Sequence, residues 1–281
     1  MRTRLLSAAV LVPVVAGVFL AGMPWLALGI AALGALAGLE LVRLLRGAGL
    51  PVPAWPGLLV PPAVVLAVAW PEAPDVLPFL LIAAATIVAA MDAFRRPDIE
   101  DGWRAFSGAV FVAAYGSLIA GMAGIVAAAP AVPADAPLAG ALDAGRLWLL
   151  VCVLCVWSFD SFAYLVGRAI GRGRFLNHIS PKKTWSGVLG GTLAAVAVGA
   201  ALGWAVGAGP LAGAVVGVVV AVCAQAGDVA ESLVKRAAGA KDSGSLIPGH
   251  GGVLDRGDSF LFAAPALWML LVAGRASGVL A

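Results

Sequence analysis

Charge is scarce in this chain. Only 12% of its 281 residues are Asp, Glu, Lys or Arg, against 62% hydrophobic residues, and the mean hydropathy is +1.02. A soluble globule carries roughly 45–50% apolar residues, so that class is excluded. Three cysteines cannot build a disulfide framework. Cys152 and Cys155 have C-x-x-C spacing, but they lie inside an apolar stretch and read as two small buried side chains. The net charge of +3 is small and its cations are dispersed among loops, which leaves no footprint for nucleic acid. The signatures G-x-S-x-G and H-E-x-x-H are missing. Residues 244–249 have the spacing of a P-loop opening, yet His250-Gly251 stands where Lys-Ser/Thr is required and no strand precedes it. No internal repeat is evident.

The chain does have apolar runs, each of about 20 residues and long enough to cross a ~30 Å hydrocarbon core as a helix. Their periodicity and Pro/Gly punctuation predict nine spans, at approximately 5–21, 25–43, 55–71, 76–93, 105–128, 146–167, 187–206, 210–226 and 259–274. The first resembles a signal peptide, but a second apolar span follows at once, so it reads as a retained helix. The expected fold is an all-α polytopic membrane protein with about nine transmembrane helices. It forms a single membrane domain over 1–281, with scaffold helices in 1–145 and catalytic helices and loops in 146–281. With nine spans, Arg2, Arg4, Arg43, Arg46, Arg95, Arg96, Arg104 and the basic residues of 168–183 and 235–256 share one side. That side is then cytoplasmic, with the N-terminus on it and the C-terminus outside. The Ala, Gly and Arg-over-Lys bias suggests a GC-rich bacterium, and hence an inner membrane.

Several polar residues have ordinary readings. Glu40 and Arg43 are expected to form an interfacial pair with snorkelling stems, and Asp92 to pair with Arg95 or Arg96. Residues 129–145 read as an exposed connector. Gly213 and Gly217 form a G-x-x-x-G suited to close helix packing. Trp25, Trp55, Trp70 and Trp148 lie near span ends, as an aromatic belt requires.

Two constellations do not read as scaffold. The 32 residues from Gly227 to Asp258 hold five of the fifteen carboxylates and four of the eighteen Lys and Arg, between segments apolar enough for a bilayer. Ionisable groups at such a boundary are costly and mark function. If 224–238 is helical, Asp228, Glu231, Ser232 and Lys235 make one stripe that ends in Lys235-Arg236. Lys241, Asp242 and then His250-Gly251-Gly252, Asp255, Arg256 and Asp258 follow. Paired glycines let a backbone approach a ligand closely, and carboxylates among cations suit a magnesium–nucleotide site. The second constellation joins Asp160, set in an otherwise apolar helix, to Ser180-Pro181-Lys182-Lys183-Thr184, which suits phosphate before a Gly-rich helix start. A basic topogenic loop explains the latter equally well.

The run Ser232-x-x-Lys235-Arg236-x4-Lys241-Asp242-x-Gly244-x2-Ile247-Pro248-x-His250-Gly251-Gly252-Val253-x-Asp255-Arg256-x-Asp258 resembles the phosphatidate cytidylyltransferases, also called CDP-diacylglycerol synthases. Asp160-Ser-x-Ala-Tyr and Ser-Pro-Lys-Lys-Thr resemble that family's other motifs, in the same order. Two positions depart from it: Gly257 where an apolar residue is usual, and Ser186 where Glu is common. The resemblance implies transfer of CMP from CTP to phosphatidate in phospholipid biosynthesis. Asp228 and Asp255 are then the Mg²⁺ carboxylates, with Asp258 supporting them and a monovalent cation such as K⁺ as candidate second metal. Lys235, Arg236, Lys241 and Arg256 would hold phosphates, assisted by Lys182 and Lys183. Asp160, Ser180, Thr184, Ser232, Asp242, His250, Gly251 and Gly252 complete the expected substrate site. The expected partners are CTP, phosphatidate and membrane lipid, with no nucleic acid and a homodimer as candidate assembly. A CTP-dependent polyprenol kinase and a secondary transporter are the alternatives. The His-Gly-Gly…Asp-Arg-x-Asp run argues against the kinase, and the one-sided charge against the transporter.

Overall fold

A computed structural model describes residues 2–249 and 251–277. These residues form helices α1 (Arg2–Ala21), α2 (Trp25–Gly47), α3 (Trp55–Ala69), α4 (Leu77–Phe94) and α5 (Ile99–Ser117). A 3₁₀ turn over Leu118–Ala120 joins α5 to α6 (Gly121–Ala128). Then come α7 (Ala144–Ile170), α8 (Trp185–Ala205), α9 (Pro210–Ala237) and α10 (Leu254–Ala276). The chain is thus an all-α polytopic membrane protein. Seven of these segments, with Ile99–Ala128 taken as one, are long and apolar enough to cross a bilayer. Of the other two expected spans, α3 is short, with 15 residues, and α1 runs Arg2–Ala21, 20 residues.

Helix starts follow local chemistry. Asp98 accepts from the Asp101 N–H, and Asp143 from the Arg146 N–H, each satisfying a donor that the first turn leaves open. The first of these caps moves the fifth span's start from the expected 105 to Ile99. The expected pair at the end of α4 forms as Asp92–Arg96 at 3.3 Å, and Arg96 also takes Asp101 at 2.7 Å. At its far end α9 outruns the apolar stretch by about three turns, because the polar stripe from Asp228 to Lys235 is itself helical.

The chain divides into two compact units. The first comprises residues 1–123 and 233–257, the second 124–232 and 258–281. Residues 233–257 therefore pack with the N-terminal helices. In the first unit α2 and α3 meet backbone to backbone: a Cβ on Gly38 or Gly57 would collide with the other residue's carbonyl. The Pro61 ring lies over Gly34 and Gly116. In the second unit Gly199 and Gly203 of α8 meet Gly213 and Gly217 of α9 in the same manner, so the G-x-x-x-G is a helix contact within the chain. Cys152 and Cys155 are free and fully buried, as expected. Trp148 is not a belt residue: it is 1% exposed, whereas Trp25 and Trp70 are 61% and 63% exposed. It lies on the α7 stripe that also buries Val151, Cys152 and Cys155, which turns its ring inward.

Candidate active site

The expected site residues fall into two clusters, one in each unit. The first is built where α9 ends, a loop follows, and α10 begins. Gly239 at φ +66 turns the chain out of α9, and the Ala240 N–H closes on the Lys235 carbonyl at 2.8 Å. Lys235 in the last turn of α9 places its ammonium 2.8 Å from Asp255 Oδ1. Asp255 Oδ2 accepts from the backbone N–H groups of Ser243, at 2.9 Å, and Gly252, at 2.8 Å. The two side chains are 13% and 7% exposed, so this is a dry ion pair with hydrogen bonds that complete the carboxylate. Arg236 is exposed and donates to the Ala240 carbonyl; Lys241, Asp242 and Arg256 are exposed as well. His250 lies outside the described residues.

A carboxylate 200 residues upstream belongs to this cluster. Glu40 of α2 is 1% exposed. Its Oε1 accepts from Val253 N–H at 3.1 Å, and its Oε2 from Leu254 N–H at 2.9 Å and Ser243 Oγ–H at 3.0 Å. The expected pair with Arg43 at the interface is corrected: Arg43 is exposed, while Glu40 caps the start of α10 from another helix. The stripe that buries Ala37, Leu41 and Leu44 includes position 40, and this periodicity was the available signal. The motif glycines take on a different meaning too. A Cβ on Gly252 would collide with Glu40 Oε2 and Ser243 Oγ, and one on Gly244 would sit 2.6 Å from Glu40 Oε1. Gly251, at φ +85, turns the backbone over Asp255, whose Oδ2 would lie 2.7 Å from a Cβ there. These glycines admit the protein's own carboxylates, not only a ligand.

The second cluster joins α7, the loop between α7 and α8, α9 and the continuation of α10. Lys183 Nζ lies 2.7 Å from Asp228 Oδ2, with side chains 17% and 36% exposed. Ser232 Oγ–H points at Asp228 Oδ1 from 3.4 Å. Asp160, one-third of α7 from its end, lies within electrostatic range of Asp258, Asp228 and Lys183 and faces the Ser259 hydroxyl. Three carboxylates and one ammonium thus share a neighbourhood. Gly227 sets it, since a Cβ there would collide with the Asp258 carbonyl, so α9 and α10 touch backbone to backbone beside both aspartates.

The Ser180–Thr184 loop is a folded turn. Lys183 N–H donates to the Ser180 carbonyl, Phe175 N–H donates to the Lys183 carbonyl, and Phe175 meets Trp185 edge-on at 4.6 Å. Thr184 is buried and caps α8, accepting from Gly187 N–H at 3.1 Å. Ser186 accepts from the Arg172 N–H and donates to Thr184 Oγ1, so the departure at that position closes the loop. Lys182 is exposed and Lys183 turns inward to Asp228; the sequence does not distinguish these neighbours.

Among the described residues, no three His, Cys, Asp or Glu side chains converge where a metal ion would be held. Among the described residues, then, no preformed cage is built. The donors fit a hard cation that keeps water and phosphate oxygens as its main ligands and takes one or two carboxylates from the protein.

Residues 2–273 match the model of the cytidylyltransferase family. A phosphatidate cytidylyltransferase of Brucella abortus (strain 2308) is 45% identical over 115 residues, 41% of this chain and 43% of that protein. Its counterparts in Bacillus subtilis (strain 168) and Synechocystis are 39% and 42% identical over 129 and 131 residues. These stretches cover 45% and 46% of this chain and 48% and 44% of the two proteins. In each case the chain spans about half the length of the relative it matches, or less.

Proposed function

This chain belongs to the cytidylyltransferase family, and on that premise we propose that it transfers CMP from CTP to phosphatidate, giving CDP-diacylglycerol and pyrophosphate. The observation that carries the proposal is the folded state of the polar run. Lys235, Ser243, Gly252 and Asp255 form one hydrogen-bonded site, at the edge of a protein that is otherwise apolar. A phosphate oxygen of the lipid attacks the α-phosphorus of CTP, and the bond to the β-phosphate oxygen breaks. The nucleophile is already anionic at neutral pH, so no strong general base is needed. The task is to bring two anions together in line and to hold the charge of the leaving pyrophosphate.

Cations serve this directly. Lys235, Arg236, Lys241 and Arg256 are the phosphate partners in the first cluster, and Lys183, with Lys182 beside it, in the second. Lys235 is neutralised by Asp255 in the described state, so an incoming phosphate competes with that carboxylate for it. Asp255 in the first cluster and Asp228 in the second, the latter with Asp258 in support, are each a candidate carboxylate for Mg²⁺, with K⁺ as candidate second ion; a bound cation would neutralise phosphate charge. The acyl chains stay in the bilayer. A cytoplasm-facing site in a bacterial inner membrane, and a homodimer, complete the proposal.

The test uses purified protein in mixed micelles with phosphatidate and CTP labelled in turn at the α- and γ-phosphorus. The α-label should enter lipid and the γ-label should leave as pyrophosphate. Lipid labelled from the γ-position would replace the proposal with a kinase, and solute uptake without labelled lipid would replace it with a transporter.

A further inference from the structure

We infer that Glu40 is a positioning residue for this transfer: from α2 it fixes the loop from Ser243 to Leu254, and through that loop the carboxylate of Asp255 and the ammonium of Lys235. The inference rests on the proposed function for its catalytic part and on geometry for the rest. Glu40 accepts three hydrogen bonds at 2.9–3.1 Å, two from backbone N–H groups at the start of α10 and one from Ser243. Ser243 is the relay. Its hydroxyl donates to Glu40 and accepts from Asp255 N–H at 3.2 Å, while its own N–H donates to Asp255 Oδ2. One residue therefore touches both carboxylates. Glu40 is 1% exposed, so it reaches no substrate, and it supports Asp255 from behind.

The chemistry requires a carboxylate there. Both Glu40 oxygens face N–H donors, and a glutamine keeps only one acceptor oxygen. Either orientation of the amide sets an NH₂ against Val253 N–H or Leu254 N–H. The glycines supply an independent check. At Gly244 all three atoms nearest to an added Cβ belong to Glu40, at 2.6, 3.0 and 3.3 Å. A methyl group there presses on Glu40 before anything else.

Outer supports of this type typically alter activity by about 10–100-fold. Glu40→Gln should lower kcat per folded molecule by that factor while leaving KM for CTP and lipid within about threefold. Hydrogen–deuterium exchange of 243–256 should rise, with α4 unchanged as the internal control. Gly244→Ala should slow the wild type in the same way. Combined with Glu40→Ala it should add little, because its clash has been removed. Unchanged kcat and unchanged loop exchange in Glu40→Gln would overturn the inference. So would a Gly244→Ala penalty that persists in full without Glu40. If Glu40→Ala does not accumulate, the glutamine variant and Gly244→Ala alone decide the matter. A wild type that forms no CDP-lipid would sink the proposed reaction, yet the exchange measurements would still judge the anchoring role of Glu40.

Discussion

Asp255 shows what the geometry adds to a motif. As a bare motif position it suggests that Asp255→Asn removes a metal charge and leaves the fold alone. Beside Lys235 the same change leaves a buried ammonium without its counter-charge, and breaking such a pair costs about 3–5 kcal/mol. We expect Asp255→Asn to lose at least ~100-fold in turnover, corresponding to about 2.7 kcal/mol of barrier. It should also melt earlier in detergent, and Lys235→Met in the same chain should recover the melting temperature without the activity. Retention of more than half the wild-type rate by Asp255→Asn would remove it from the site. The two lysines of the α7–α8 loop give a sharper comparison. Lys183 pairs with Asp228 at 2.7 Å and Lys182 is exposed, so Lys183→Met should lower turnover about tenfold more than Lys182→Met, a difference of ~1.4 kcal/mol. Equal effects would mean that the loop acts only through its net charge.

Helices in this chain were easier to read than their neighbours. All nine expected spans meet a helix, because apolar runs and Pro/Gly breaks are local signals. The site was legible where it was written contiguously, from Lys235 through Ser243 to Asp255. Glu40 was not, because its partners lie 203–214 residues away and its nearest charge in sequence, Arg43, offered a nearer explanation. Trp148 was misplaced for a similar reason, since closeness to a span end does not say which way a ring points. Contacts between helices depend on small residues whose purpose no spacing announces. Gly227 is the clearest case: Gly227→Val should force α9 from α10 at Asp258, costing about 1–3 kcal/mol of stability. Activity should fall further than the melting temperature accounts for. A fully active Gly227→Val would show that the spacing beside Asp228 and Asp258 is not critical.

Membrane sidedness for the chain can be counted from one contact. The end of α2 and the start of α10 are joined through Glu40, so the loops after α2 and before α10 lie on the same side. An even number of crossings must then separate them, and α4, α5–α6, α7, α8 and α9 make five. We therefore expect α3 to cross as well, although 15 residues give only about 22 Å of helix, a shortfall that local thinning of the bilayer would accommodate. With Cys152, Cys155 and Cys223 replaced, Arg43→Cys and Ser245→Cys should react with an impermeant thiol reagent from one side, and Glu72→Cys from the other. Labelling of positions 43 and 72 from the same side would refute the crossing. The same contact also sets a timetable for biosynthesis. At about 5–20 residues per second, a ribosome that has just made Glu40 needs roughly 10–40 s more to deliver Val253 and Leu254. Through that interval the nascent protein carries a carboxylate in α2 whose receiving helix has not yet been synthesised, and an uncompensated charge at that depth is costly. Chains truncated after α9 should therefore be short-lived in cells, and Glu40→Leu should lengthen the life of the truncated form while lowering the turnover of the full-length protein.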